Sequence, residues 1–141
     1  MNANSITLYH PDKTGSGSAL RMELTPFRVG VPESGKLTFL ISSQDGDGFS
    51  FADSIGVRLN FDEVSQVLQV FRGETKSLRS GCVTRRNCVF NMVHTVEPEA
   101  GYAMIISNGD KTVSFTLKPH EALGLSLAIE VSMSRLVFDV D

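Results

Sequence analysis

Five cations crowd into one short stretch of the chain: Arg72, Lys76, Arg79, Arg85 and Arg86, with Glu74 the single acid among residues 72–86. Guanidinium and ammonium groups at this density suit phosphate oxygens, and a grip of that kind weakens steeply as salt rises. The same run also fits a solvated, solubilising loop. The stretch carries +4 in a chain whose total is −3, so the remaining residues sum to −7. That total argues against a basic, histone-like coat and excludes binding by bulk charge, but not a local basic site assisted by stacking.

Other constellations do not reach a chemistry. Asp45-Gly46-Asp47-Gly48 resembles the start of a calcium loop, yet the glycine and glutamate such a loop needs at its sixth and twelfth positions fall on Ser50 and Gly56. A hairpin is the better reading. Gly15-Ser16-Gly17-Ser18 lacks the lysine-serine ending and following helix of a phosphate-binding loop and reads as a flexible turn. His10, His94 and His120 are scattered, and no Gly-x-Ser-x-Gly nucleophile motif occurs. The expectation is a protein without catalytic residues, metal or cofactor. Cys82 and Cys88 are too few for zinc and are expected to be thiols in a reducing compartment.

With 141 residues, 41% hydrophobic and 21% charged, the chain is expected to form one domain, residues 1–141. No apolar run is long enough for a membrane helix, and Met1-Asn2-Ala3-Asn4-Ser5 lacks the basic and apolar regions of a signal peptide, so a cytoplasmic location is expected.

The elements that position the cations are legible from periodicity. Residues 6–10, 19–24, 36–41 and 56–59 alternate as half-buried antiparallel strands between Gly, Pro and Ser clusters. Alternation turns Leu8, Leu20, Met22, Leu37, Phe39, Val57 and Leu59 toward the helices and leaves Tyr9, Arg21, Lys36 and Arg58 on the opposite face. An aromatic ring with three cations from separate strands suits unstacked bases and phosphates, although Glu23 shares the face and any exposed sheet surface needs charge. Asn60 and Glu63 form a capping box that starts a helix at Phe61, with Phe61, Val64, Val67, Leu68 and Phe71 on one face and Gly73 as its stop.

Strands are again expected over 87–96, 101–107 and 111–117, with Asn108-Gly109-Asp110 as a tight turn and a weaker strand signal over 75–79. A second helix opens at Pro119. Ala122, Leu125, Ile129, Met133 and Leu136 share its core face, but Leu123, Leu127 and Val131 are also apolar, which predicts packing against a partner subunit. Asp139-Val140-Asp141 ends the chain as a fraying terminus or a short acidic tail. A shift of 58 residues lays Val57-Arg58-Leu59-Asn60-Phe61-Asp62-Glu63-Val64 over Phe115-Thr116-Leu117-Lys118-Pro119-His120-Glu121-Ala122. The expected fold class is therefore α+β: two tandem ββββα units, about 5–73 and 74–138, with antiparallel sheets packed on helices.

That order, together with Ser5-Ile6-Thr7-Leu8-Tyr9, Lys13-Thr14-Gly15-Ser16-Gly17-Ser18-Ala19-Leu20, residues 57–64, Val96-Glu97-Pro98 and Phe115-Thr116-Leu117-Lys118-Pro119-His120-Glu121, resembles the Whirly family of single-stranded DNA-binding proteins and their mitochondrial RNA-binding relatives. The family's lysine-rich stretch between its first two strands keeps only Lys13 and Ala19-Leu20 here, and the tryptophans of plant members are absent. The resemblance implies a non-catalytic protein that binds single-stranded DNA, or less readily RNA, as a homodimer or homotetramer, nucleoid-associated if DNA is the partner. It adds Lys13 to Tyr9, Arg21, Lys36, Arg58, Arg72, Lys76, Arg79, Arg85 and Arg86 as candidate contacts. The competing reading is an oligomeric interaction or scaffolding module on the same fold.

Overall fold

The computed structural model describes residues 4–81, 88–96 and 100–139. Its elements are β1 (Ser5–His10), β2 (Ser18–Thr25), β3 (Lys36–Asp45), β4 (Gly48–Phe49), β5 (Ile55–Leu59), α1 (Phe61–Phe71), β6 (Ser77–Gly81), β7 (Cys88–Thr95), β8 (Gly101–Asn108), β9 (Lys111–Leu117) and α2 (Pro119–Ser132). A 3-10 turn, Met133–Leu136, continues α2 and buries Leu136. All strand pairs are antiparallel: the first sheet runs β1–β2–β3–β5 with β4 added at the end of β3, and the second runs β6–β7–β8–β9.

Each unit thus places four principal strands before one helix. The two helix starts are built alike. Asn60 N–H donates to Glu63 Oε1 (3.0 Å) and Asn60 Oδ1 accepts from Glu63 N–H (2.9 Å). At the second helix Lys118 N–H donates to Glu121 Oε1 (2.9 Å). Each bond satisfies a backbone donor that the helix itself leaves without a partner.

The inward alternation of Leu20, Met22, Leu37, Phe39, Val57 and Leu59 is present, all of them buried. These side chains face the second sheet as well as the helices: the sheets pack through their inner faces, and Phe39 stacks on Phe90 with ring centroids 5.8 Å apart. The line α1 buries runs through Val64, Val67 and Val70, so Phe61, expected on the core face, stands 42% exposed at the first helical position. The strand expected over 87–96 occupies Cys88–Thr95, Asn87 lying outside the described residues. Cys88 is a buried thiol, and Cys82 lies outside the described residues. Asp139 does not trail free: its carboxylate accepts from Arg28 and from Val29 N–H (3.0 Å).

Two further details depart from expectation. The segment 11–17 is a braced loop rather than a flexible turn. The Asp12 carboxylate accepts from Thr14 N–H, the Thr14 hydroxyl and the Ser16 hydroxyl at 2.8–2.9 Å. Gln44 Oε1 accepts from Asp12 N–H and Gly17 N–H, while its Nε2 donates to Asp12 O and Gly46 O. A Cβ on Gly17 would meet His10 O at 2.2 Å, which explains glycine there. The second departure is β3 itself, which runs four residues past Ile41 and turns back through β4 and a 3-10 turn at Phe51–Asp53.

Candidate nucleic-acid interface

That turn-back shapes the outer face of the first sheet. Ser42, 2% exposed, donates its hydroxyl to Ser50 O (2.9 Å) and clasps the segment onto β3. Phe49 then meets Tyr9 (centroids 5.5 Å apart, tilted), and Phe51 lies under Arg21, whose Cζ is 4.1 Å from the ring centroid. Arg21 Nε–H also donates to Thr7 Oγ1 (3.2 Å). The guanidinium is oriented from two sides over an aromatic ring, a geometry that stabilises the cation and leaves a flat surface for stacking.

The strand register orders the rest into rows across the sheet. One row is Tyr9–Ala19–Ser42, the next Thr7–Arg21–Leu40–Gly56, the next Ser5–Glu23–Thr38–Arg58, and Lys36 follows opposite Thr25. Tyr9, Arg21, Lys36 and Arg58 therefore share one face. Arg58 lies 3.6 Å from Glu33 in an exposed pair that contributes little. An open recess of about 450 Å³ is lined by Glu23, Thr25, Thr38, Leu40, Ser54, Gly56 and Arg58. A Cβ on Gly56 would strike Leu40 Cδ2 at 2.3 Å, so glycine is what lets Leu40 form the recess floor.

Arg72, Lys76 and Arg79, the described cations of the basic stretch, do not lie on this face. Arg72 caps the end of α1 and pairs with Glu130 of α2. Lys76 is exposed in the link to β6, Arg79 stands on β6 with its Cα opposite Asn91, and Arg85 and Arg86 lie outside the described residues. Lys13 is exposed in the braced β1–β2 loop. Periodicity missed Phe49 and Phe51; their signal was two aromatics one residue apart, just beyond the Asp45–Gly48 hairpin.

Next to Tyr9 in β1 but turned inward, His10 Nε2 lies 2.9 Å from both Glu121 oxygens, and its ring stacks on Phe115 at 4.2 Å. Burial pushes the Glu121 carboxyl up, but the Lys118 N–H and the His10 ring outweigh it and hold the group below its ordinary value. Among the described residues no cluster of three or more His, Cys, Asp or Glu is arranged to hold a metal, and no helix is long and apolar enough to cross a membrane.

No protein-family model and no curated protein matches the sequence. Solved structures do match in shape. A guide-RNA-binding protein complex bound to a guide RNA superposes with a TM-score of 0.71 at 12% identity, over 99% of this chain and 96% of the other. The MRP1/MRP2 proteins of Trypanosoma brucei superpose at 0.68 with 12% identity, over 94% and 85%. The Whirly protein WHY1 of Arabidopsis thaliana superposes at 0.65 with 13% identity, over 94% and 86%. The chain has the Whirly fold. In this Whirly fold the two sheets differ. The second presents Arg79, Asn91, Ile105 and Ser114 in one row and Ser77, Val93, Ala103 and Thr116 in the next, and among the described residues these rows carry no aromatic ring, whereas the first sheet pairs cations with aromatic rings.

Proposed function

We propose that this protein binds single-stranded nucleic acid, DNA in preference to RNA, on the outer face of its first sheet, without catalysis. The observation that carries this reading is the Arg21–Phe51 stack beside Tyr9 and Phe49, on a face that also presents Lys36 and Arg58. Bases stack on such platforms with about 1–3 kcal/mol each, and cations along the rows neutralise phosphates. Likeness in fold to a protein complex bound to guide RNA supports the same class of partner. The basic stretch that contains Arg72, Lys76, Arg79, Arg85 and Arg86 would add phosphate contacts to those of this face.

The assembled state is a homodimer or homotetramer joined through α2. Leu123, Leu127 and Val131 form a line along that helix and are 62%, 53% and 81% exposed, an apolar surface of the kind a second copy covers. The scaffolding alternative predicts the same assembly with no affinity for nucleic acid. Titrating a labelled single-stranded oligonucleotide at low and moderate salt against wild type and Arg21→Ala/Phe51→Ala separates them. Salt-sensitive binding that the double change abolishes is expected. Absence of binding at low salt overturns the reading.

A further inference from the structure

Glu23 is the residue on the proposed binding face that simple phosphate neutralisation does not explain. It is half-buried and lines the recess, and its carboxylate has no hydrogen-bond or ion-pair partner among the described residues. Its row places it two strands from Arg58 with Thr38 between them, a separation of about 10 Å between Cα atoms at ordinary strand spacing. A flat ring lying on Leu40 across Gly56 would present one edge to a carboxylate and an adjoining edge to a guanidinium.

Among the nucleobases, guanine has the matching edges. Its N1–H and N2–H₂ are adjacent donors that the two oxygens of a carboxylate accept together, and its O6 and N7 accept from an arginine fork. Adenine and cytosine set a ring-nitrogen acceptor beside the amino group, which a carboxylate repels. Thymine and uracil flank a single N–H with two carbonyls. We infer that the recess bounded by Glu23, Thr38, Leu40, Gly56 and Arg58 is a guanine-selective pocket, Glu23 reading the Watson–Crick edge of one unstacked base. The inference rests on the proposed single-strand binding and adds a sequence preference to it. Arg58 remains available because its contact with Glu33 is long and exposed.

The test uses the full chain and three oligothymidylate strands that differ only in carrying guanines, inosines or adenines at the same positions. Inosine keeps O6, N7 and N1–H but lacks the 2-amino group. Wild type is expected to bind the guanine strand about tenfold more tightly than the other two. Glu23→Gln and Glu23→Ala are expected to remove that difference while retaining affinity for plain oligothymidylate, which shows that the variants are folded. Equal affinities of wild type for the three strands, or a preference that survives both substitutions, overturns the guanine pocket and leaves single-strand binding in place. Absence of binding to every strand, plain oligothymidylate included, overturns both.

Discussion

Arg72 and Glu130 stand 58 residues apart, occupy the same position in the two halves of the chain, and are paired with each other. Lys111 and Asp53 repeat the relation: the Lys111 ammonium donates to Asp53 O across the same interval. Each contact joins a residue of the first ββββα unit to one of the second. They also give Arg72 a structural role as the link between α1 and α2.

The pair is partly exposed, which keeps its contribution small. Arg72→Glu and Glu130→Arg are each expected to lower stability by about 1 kcal/mol, and the two combined to recover most of it. Urea denaturation of the two singles and the double checks this; equal loss in all three would show that charge pairing is irrelevant there.

On the outer face, Phe51→Ala removes the ring beneath Arg21, and Tyr9→Ala removes the partner of Phe49. Each is expected to weaken oligonucleotide binding about five- to a hundredfold, as loss of one stacking surface does, with the circular dichroism spectrum unchanged. Fluorescence anisotropy reads the affinity.

Lys13 and Lys36 contribute charge rather than a surface. Each alanine substitution is expected to reduce the slope of log affinity against log salt by about 0.7, the value for one single-strand phosphate, and to weaken binding to all sequences alike. A slope unchanged by both substitutions assigns the phosphate contacts to other cations.

The depressed Glu121 carboxyl links stability to pH. Unfolded, this group binds its proton at a pH where the folded group is still ionised, so stability rises with pH through the carboxylate range and is lost as pH falls through the folded value. Glu121→Gln is expected to flatten that limb of the urea midpoint between about pH 3 and 6. A limb as steep as that of wild type would assign the acid sensitivity to other carboxylates.

Leu123→Glu with Leu127→Glu puts charge on the exposed line of α2. The expected result is a monomeric mass by light scattering for the variant and a dimeric or tetrameric mass for wild type, with the fold retained because neither side chain is in the core. A monomeric wild type removes the assembly proposal.

How much of this was legible depended on whether the determining contact was local. The strand alternation around Leu37 and Phe39, the Asn60–Glu63 box and Pro119 all express periodicity or neighbours within a turn, and each appears in the structure. Phe49 and Phe51 were silent because their place on the outer face depends on Ser42, eight residues from Ser50, holding a fold-back no period encodes. Glu23 read as a defect of a basic surface, since its relation to Arg58 exists only through the register of three strands. The cluster at 72–86 was conspicuous as charge, but composition carried no sign that Arg72 faces a carboxylate 58 positions away.

Gln44 engages both its amide donors and its carbonyl oxygen, and the four bonds fasten the β1–β2 loop to the turn leading into β4. One hairpin tip carries Lys13 and the other leads directly to Phe49. The backbone spacing of the two hairpin tips is thereby set by hydrogen bonds. If the proposed function holds, a single strand laid over it would be gauged by its own backbone repeat, and the bracing by one glutamine would act as a ruler.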